Sequence, residues 1–136
     1  MSSNPYAAYR NVEATTADPV TLTTMLYDGC VKALKKAVLH MESGNREGYN
    51  NETNRAYLII GELASTLDMS QGEIATSLAS IYGYCMRLVV ESTLGDAEKL
   101  LEVERHITRI GNAWKSATAD LKASRAPARA GAEAAA

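Results

Sequence analysis

Apolar residues recur every three or four positions along most of this chain, and nowhere do they alternate with polar ones over the length of a strand. That spacing belongs to helices, whose faces repeat every 3.6 residues. The first stripe is Leu22, Leu26, Cys30, Ala33, Ala37 and Met41. It follows Asp18-Pro19, where the carboxylate can cap free N–H groups and the proline suits a first turn. Ser43-Gly44-Asn45 stops this helix and offers a cap to the next. The second helix is polar at first (Asn50, Asn51, Asn54) and then carries Ala56, Ile60, Leu63 and Leu67. Ser70-Gln71-Gly72-Glu73 has the spacing of a capping box, in which Ser and Glu each bond the other's backbone N–H. Ile74, Leu78, Ile81, Cys85, Leu88 and Ser92 follow on one face. Gly95-Asp96 separates them from a last stripe of Leu100, Val103, Ile107, Ile110, Trp114, Ala117 and Leu121.

Four helices of roughly 20 to 27 residues, at ~1.5 Å per residue, match one another at about 30–40 Å. Connections of a few residues make neighbours antiparallel. The pattern therefore predicts an all-α fold, an antiparallel four-helix bundle over residues 18–124. Residues 1–17 are expected to form a mobile N-terminal segment, a candidate cap over the groove described below. Residues 125–136, rich in Ala with Arg, Pro and Gly, lack large apolar side chains and are expected to be disordered.

One stripe per helix satisfies a closed bundle, and the fourth helix carries only that. The first carries a second stripe, Val20, Tyr27, Val31, Leu34 and Val38, whose width reads as burial by several neighbours. The third adds Ala75, Ala79, Tyr82, Met86 and Val90, and the second adds Tyr57, Gly61 and Ala64. Small residues leave a groove there, and Tyr and Met make adaptable walls. These eight positions are the candidate groove for an apolar helix or extended peptide of a partner. A helix buried on several sides would show the same breadth. Gly29, Gly61, Gly83 and Gly111 stand inside helices, each at a cost of roughly 1 kcal/mol relative to Ala, and close helix approach is the expected reason.

Composition narrows the function classes. The chain has 136 residues, 14.6 kDa, a net charge of −2 and a pI near 5.7. It fits one domain and shows no electrostatic footprint for nucleic acid or an anionic membrane. No apolar run approaches the ~20 residues of a membrane span, and no signal-peptide pattern opens the chain. Cys30 and Cys85 fall inside apolar stripes, as reduced core cysteines of a cytosolic protein do. Seven Tyr and no Phe favour apolar surfaces that still reach water.

No catalytic residue, metal or cofactor is expected. Di-iron bundles need Glu-x-x-His, but Val103 and Ala37 stand three residues before His106 and His40. Neither a haem-attachment motif nor a Gly-rich phosphate loop occurs. Asp28 and Lys32, one turn apart, read as a solvated ion pair. His106 with Arg109 loosely echoes a phosphotransfer bundle, the catalytic alternative. Arg replaces the usual Lys there and Ile110 intervenes, and a motif fragment on a common fold is a weak warrant.

Several segments together resemble a known family. They are Pro5-Tyr6 and Tyr9; Met25-Leu26-Tyr27-Asp28-Gly29; Gly44-Asn45; Ile59-Ile60 with Glu62-Leu63 and Leu67-Asp68; Gly72-Glu73-Ile74-Ala75; Leu78, Ile81, Tyr82, Tyr84 and Met86; and Asp96, Glu102-Val103 and Trp114-Lys115. In order and spacing, from about Asn4 to Leu121, they resemble the flagellin-specific flagellar secretion chaperones of the FliS family. The polar start of the second helix, Cys85 before Met86, and Arg87-Leu88 in place of a basic pair depart from the pattern. The resemblance implies a cytoplasmic, non-enzymatic protein. It implies binding of the disordered C-terminal segment of flagellin, prevention of its premature polymerisation, and presentation to the flagellar export apparatus. It also implies that Tyr6 and Tyr9 cap the client groove in the free protein. Self-association into a homo-oligomer without client is a further expectation, and a purely structural, self-associating bundle is the other alternative.

Overall fold

The computed structural model describes the backbone of residues 18–135 and the side chains of residues 18–120. Helix α1 spans Pro19–Glu42, α2 Arg46–Ser65, α3 Glu73–Thr93 and α4 Glu98–Ala135, with a 3-10 turn over Met69–Gln71 before α3. Among the described residues there is no strand. The fold is the all-α four-helix bundle that the stripe spacing predicts.

Local chemistry sets most helix ends. Asp18 Oδ1 accepts the Thr21 N–H at 2.8 Å, and Pro19 opens α1. Gly44 turns the chain with φ 74°, a left-handed conformation natural to glycine. The Asn45 side chain then accepts the Gly48 N–H at 3.0 Å and caps α2. The start of α3 differs from the expected capping box. Gly72, with φ 68°, precedes the helix and supplies no side-chain cap. Ser70 instead gives both its N–H (3.0 Å) and its hydroxyl (2.6 Å) to Asp68 Oδ1. A charged acceptor two residues away wins over a distant N–H, so Asp68 closes the 3-10 turn. The backbone of α4 runs to Ala135, past Leu121 where the stripe pattern ends and past residue 124 where a disordered tail is expected to begin.

The helices close a ring in which α1 and α3 each pack on α2 and α4. Neighbours run antiparallel. Tyr49, early in α2, donates to the Ser92 carbonyl late in α3 at 3.1 Å, and Trp114 Nε1, near the middle of the long α4, donates to Thr24 Oγ1 early in α1 at 3.0 Å. Both stripes of α1 turn inward, burying Leu26, Tyr27, Cys30 and Leu34. On α3 the buried residues are Ala75, Tyr82, Cys85, Leu88, Val89 and Ser92, whereas Ile74 is 73% exposed. The core face of α3 thus lies between its two apolar stripes rather than along the first. On α4, Leu100, Val103 and Ile107 are buried; further on Gly111 and Thr118 face inward and Ala117 is exposed. A Cβ on Gly111 would sit 3.2 Å from Tyr27 Cβ, so here α1 and α4 do approach closely. Gly83 meets nothing within 4 Å, so close approach does not account for it.

Candidate binding site

Tyr27 and Tyr82, on helices diagonal in the ring, join hydroxyls at 2.5 Å in the interior. Burial pushes both phenols above their ordinary value, and for Tyr82 the bond to Tyr27 pushes further in the same direction. The Cys30 thiol donates to the Ala56 carbonyl at 3.9 Å. Cys30 and Cys85 are free and buried; burial raises both thiols, that of Cys85 to about 11, which leaves them protonated and unreactive.

Tyr82 is therefore a core residue, 1% exposed, and so is Ala75 at 3%. Neither can face a partner from this position, which corrects their place in the candidate groove. The cause is the inward turn of α3 between its stripes, strengthened for Tyr82 by its partner Tyr27.

The other six candidates lie where a partner can reach them, half-buried except for Val90 at 48% exposure. Tyr57 of α2 and Val90 of α3 line one opening between these helices, of about 440 Å³. A Cβ on Gly61 would stand 3.6 Å from Met86 Cε across the same seam. Ala64 and Ala79 continue the two helical faces by a turn or two. Gly61 and Met86 thus meet across the α2–α3 seam, and its opening carries Tyr57, Val89 and Val90 among mainly polar residues.

Arg46, Asn50 and Asn54 add a polar rim that stripe reading does not single out. The Arg46 guanidinium donates to the Thr93 carbonyl at 2.5 Å and lies 5.7 Å from the Tyr49 ring centre, linking α2 to the end of α3 at the rim of that opening. Tyr49 and Thr53, both buried, do carry a signal: with Ala56, Ile60 and Leu63 they extend one helical line.

On the face formed by α3 and α4, Tyr84 donates to Glu102 Oε2 at 2.6 Å, and His106 Nε2 lies 3.3 Å from the same oxygen. The Tyr84 hydroxyl, then His106, holds the Glu102 carboxyl below its ordinary value. Asp28 pairs with Lys115 of α4 at 2.5 Å, not with Lys32 as their spacing suggests. Tyr6 and Tyr9 lie outside the described residues. Among those residues no group of three or more His, Cys, Asp or Glu is placed to hold a metal, and no helix is long and apolar enough to cross a membrane.

The described residues thus form an all-helical bundle of four helices. Residues 2–121 match the family described as "Flagellar protein FliS", and the chain belongs to that family. It is 37% identical over 115 residues to the flagellar secretion chaperone FliS of Bacillus subtilis (strain 168), covering 84% of this chain and 86% of the relative. It is 37% identical over 102 residues to that of Salmonella typhimurium (strain LT2), covering 73% and 76%. With that of Escherichia coli (strain K12) it shares 34% identity over 97 residues, covering 69% and 71%. The family is one of flagellar secretion chaperones, not of enzymes.

Proposed function

We propose that this chain works in the cytoplasm as the export chaperone of a flagellin. It binds the disordered C-terminal segment of the client, keeps that segment from polymerising early, and delivers it to the flagellar export apparatus. The observation that carries this reading is the seam between α2 and α3, with Tyr57, Gly61 and Ala64 facing Ala79, Met86 and Val90. A small-residue floor accepts a helix or extended peptide closely, and Met and Tyr walls adapt to it.

Ordering a disordered client costs ~2–5 kcal/mol. At ~25 cal/mol per Å², newly buried apolar area of roughly 200 Å² offsets the upper figure. Tyr6 and Tyr9 act as a self-ligand over the seam in the free protein. A cap of that kind lowers the apparent client affinity by the open fraction. An uncovered seam also gives the free chain an apolar patch through which two copies associate.

The test is calorimetric titration of the full chain with the isolated C-terminal segment of flagellin from the same organism, beside a flagellin polymerisation assay. Saturable one-to-one binding, a strongly negative heat-capacity change and suppressed polymerisation are expected. No binding, by the intact chain and by one lacking residues 1–11, overturns the reading.

A further inference from the structure

On the side of the ring opposite the α2–α3 seam, α1 and α4 form a second groove of about 440 Å³. Its floor is apolar, with Tyr27, Ile107 and Gly111 buried, and its wall includes half-buried Val31 and Leu39 at 63% exposure. Lys32, Lys35 and Lys36 border it on α1, and Lys115 on α4.

The charges there are unbalanced. Lys115 is neutralised by Asp28. Lys32, Lys35 and Lys36 are exposed and form no ion pair or hydrogen bond with another described residue. Lys99, by contrast, meets Glu91 at 2.8 Å and Asp96 at 3.7 Å. The chain holds 16 acidic residues against 14 basic ones, so the lysines of α1 are bare although acids are plentiful elsewhere. Lys32 and Lys36 are four apart and Lys32 and Lys35 three apart; such like-charged pairs destabilise a helix by ~0.2–0.5 kcal/mol each. They lie well within the ~8 Å over which charges sense one another at physiological salt.

We propose that this groove is a second docking surface, whose occupant is an acidic amphipathic helix of another protein. Its apolar face covers Val31 and Leu39, and carboxylates along one edge meet Lys32, Lys35 and Lys36. From Asp28 to Leu39 the groove follows three turns of α1, roughly 16 Å, which sets the length of the bound helix. The exposed leucine between the lysines and the net negative charge of the whole chain favour such a helix over a nucleic acid or an anionic membrane. Because the two seams lie on opposite sides of the ring, this partner and a client held between α2 and α3 bind together. The surface goes beyond the proposed client site and does not require it.

The probe is a fluorescein-labelled synthetic helical peptide of about four turns, with Leu on one face and Glu beside it. Its binding to the full chain is read by anisotropy, with and without saturating flagellin C-terminal segment. Saturable binding unaffected by the segment is expected. Binding should weaken at least tenfold in the Lys32→Gln/Lys35→Gln/Lys36→Gln variant and severalfold in Leu39→Asn. A scrambled peptide of equal composition should bind no better than the triple variant binds the original. Titration of both variants with the flagellin segment separates the two sites: unchanged client affinity beside lost peptide binding supports a distinct surface. No peptide binding, equal binding of the scrambled peptide, indifference to the substitutions, or displacement by the client segment overturns the proposal. So does lysine-dependent binding to vesicles containing phosphatidylserine in place of the peptide. Failure of the client segment alone to bind bears only on the client reading.

Discussion

The hydroxyls of Tyr27 and Tyr82 meet at 2.5 Å across the diagonal of the bundle, linking two helices that are not neighbours in the ring. Both rings are buried, so each hydroxyl depends on the other for a partner. Removing one leaves the other as an unmatched polar group. Tyr82→Phe is expected to lower stability by about 1–3 kcal/mol in denaturant unfolding, and Tyr27→Phe/Tyr82→Phe to recover part of that loss. Tyr82→Lys places a charge in the core and is expected to unfold the bundle.

The same core sets a response to alkaline pH. Burial raises the Cys30 and Cys85 thiols and the Tyr27 and Tyr82 phenols in the folded state. A raised acid favours the fold while it stays protonated, so this contribution is complete below the unfolded pKa values. Its loss begins as pH passes the unfolded value, ~8.5 for Cys and ~10 for Tyr, and continues until pH has passed the raised folded values, about 11 for Cys85. Denaturation midpoints should hold steady to about pH 8 and fall above it. Cys30→Ala/Cys85→Ala should flatten the first part of that fall and leave the tyrosine part.

Two glycines should respond oppositely to alanine. Gly83 has open space around its would-be Cβ, so Gly83→Ala is expected to gain up to ~1 kcal/mol from helix propensity. At Gly111 the new Cβ would meet Tyr27 Cβ at 3.2 Å. That atom is fixed to the backbone and cannot swing aside, so α1 and α4 must separate. Gly111→Ala should therefore lose stability, as thermal unfolding will register.

His106 should be dispensable. Its contact with Glu102 is partly exposed, and exposed pairs contribute about 0–1 kcal/mol. His106→Ala is expected to unfold within ~1 kcal/mol of the native chain and to bind client equally well. Labelling of the native protein at this histidine by a phosphodonor would revive the phosphotransfer alternative.

The helices, their order and most of their ends are legible in the sequence because each rests on local chemistry: Asp18 and Pro19, Gly44 and Asn45, and the 3.6-residue stripes. What the stripes leave open is the direction in which a broad apolar face points. On α3, Ile74 and Ala75 are adjacent in sequence and about 100° apart on the helix, and only packing against α2 and α4 decides that Ala75 is buried and Ile74 exposed. Tyr82 is misplaced for the same reason, since nothing near it in sequence announces Tyr27. Ser70 fits a capping box by spacing, yet Asp68 takes its hydrogen bonds. For the proposed client seam, Tyr57 and Val90 are legible as apolar positions off the core stripes. Arg46 is not, because its role depends on the Thr93 carbonyl 47 residues away.

The most direct test of the client site is titration of a Met86→Gln/Val90→Glu variant with the flagellin C-terminal segment. Val90 is 48% exposed, whereas Met86 packs partly on the core, so the variant should fold with its stability lowered by about 1–2 kcal/mol, which denaturant unfolding checks beside the titration. If the α2–α3 seam holds the client, affinity drops at least tenfold, about 1.4 kcal/mol. Unchanged affinity in the folded variant would contradict the account and move the client to another face of the bundle.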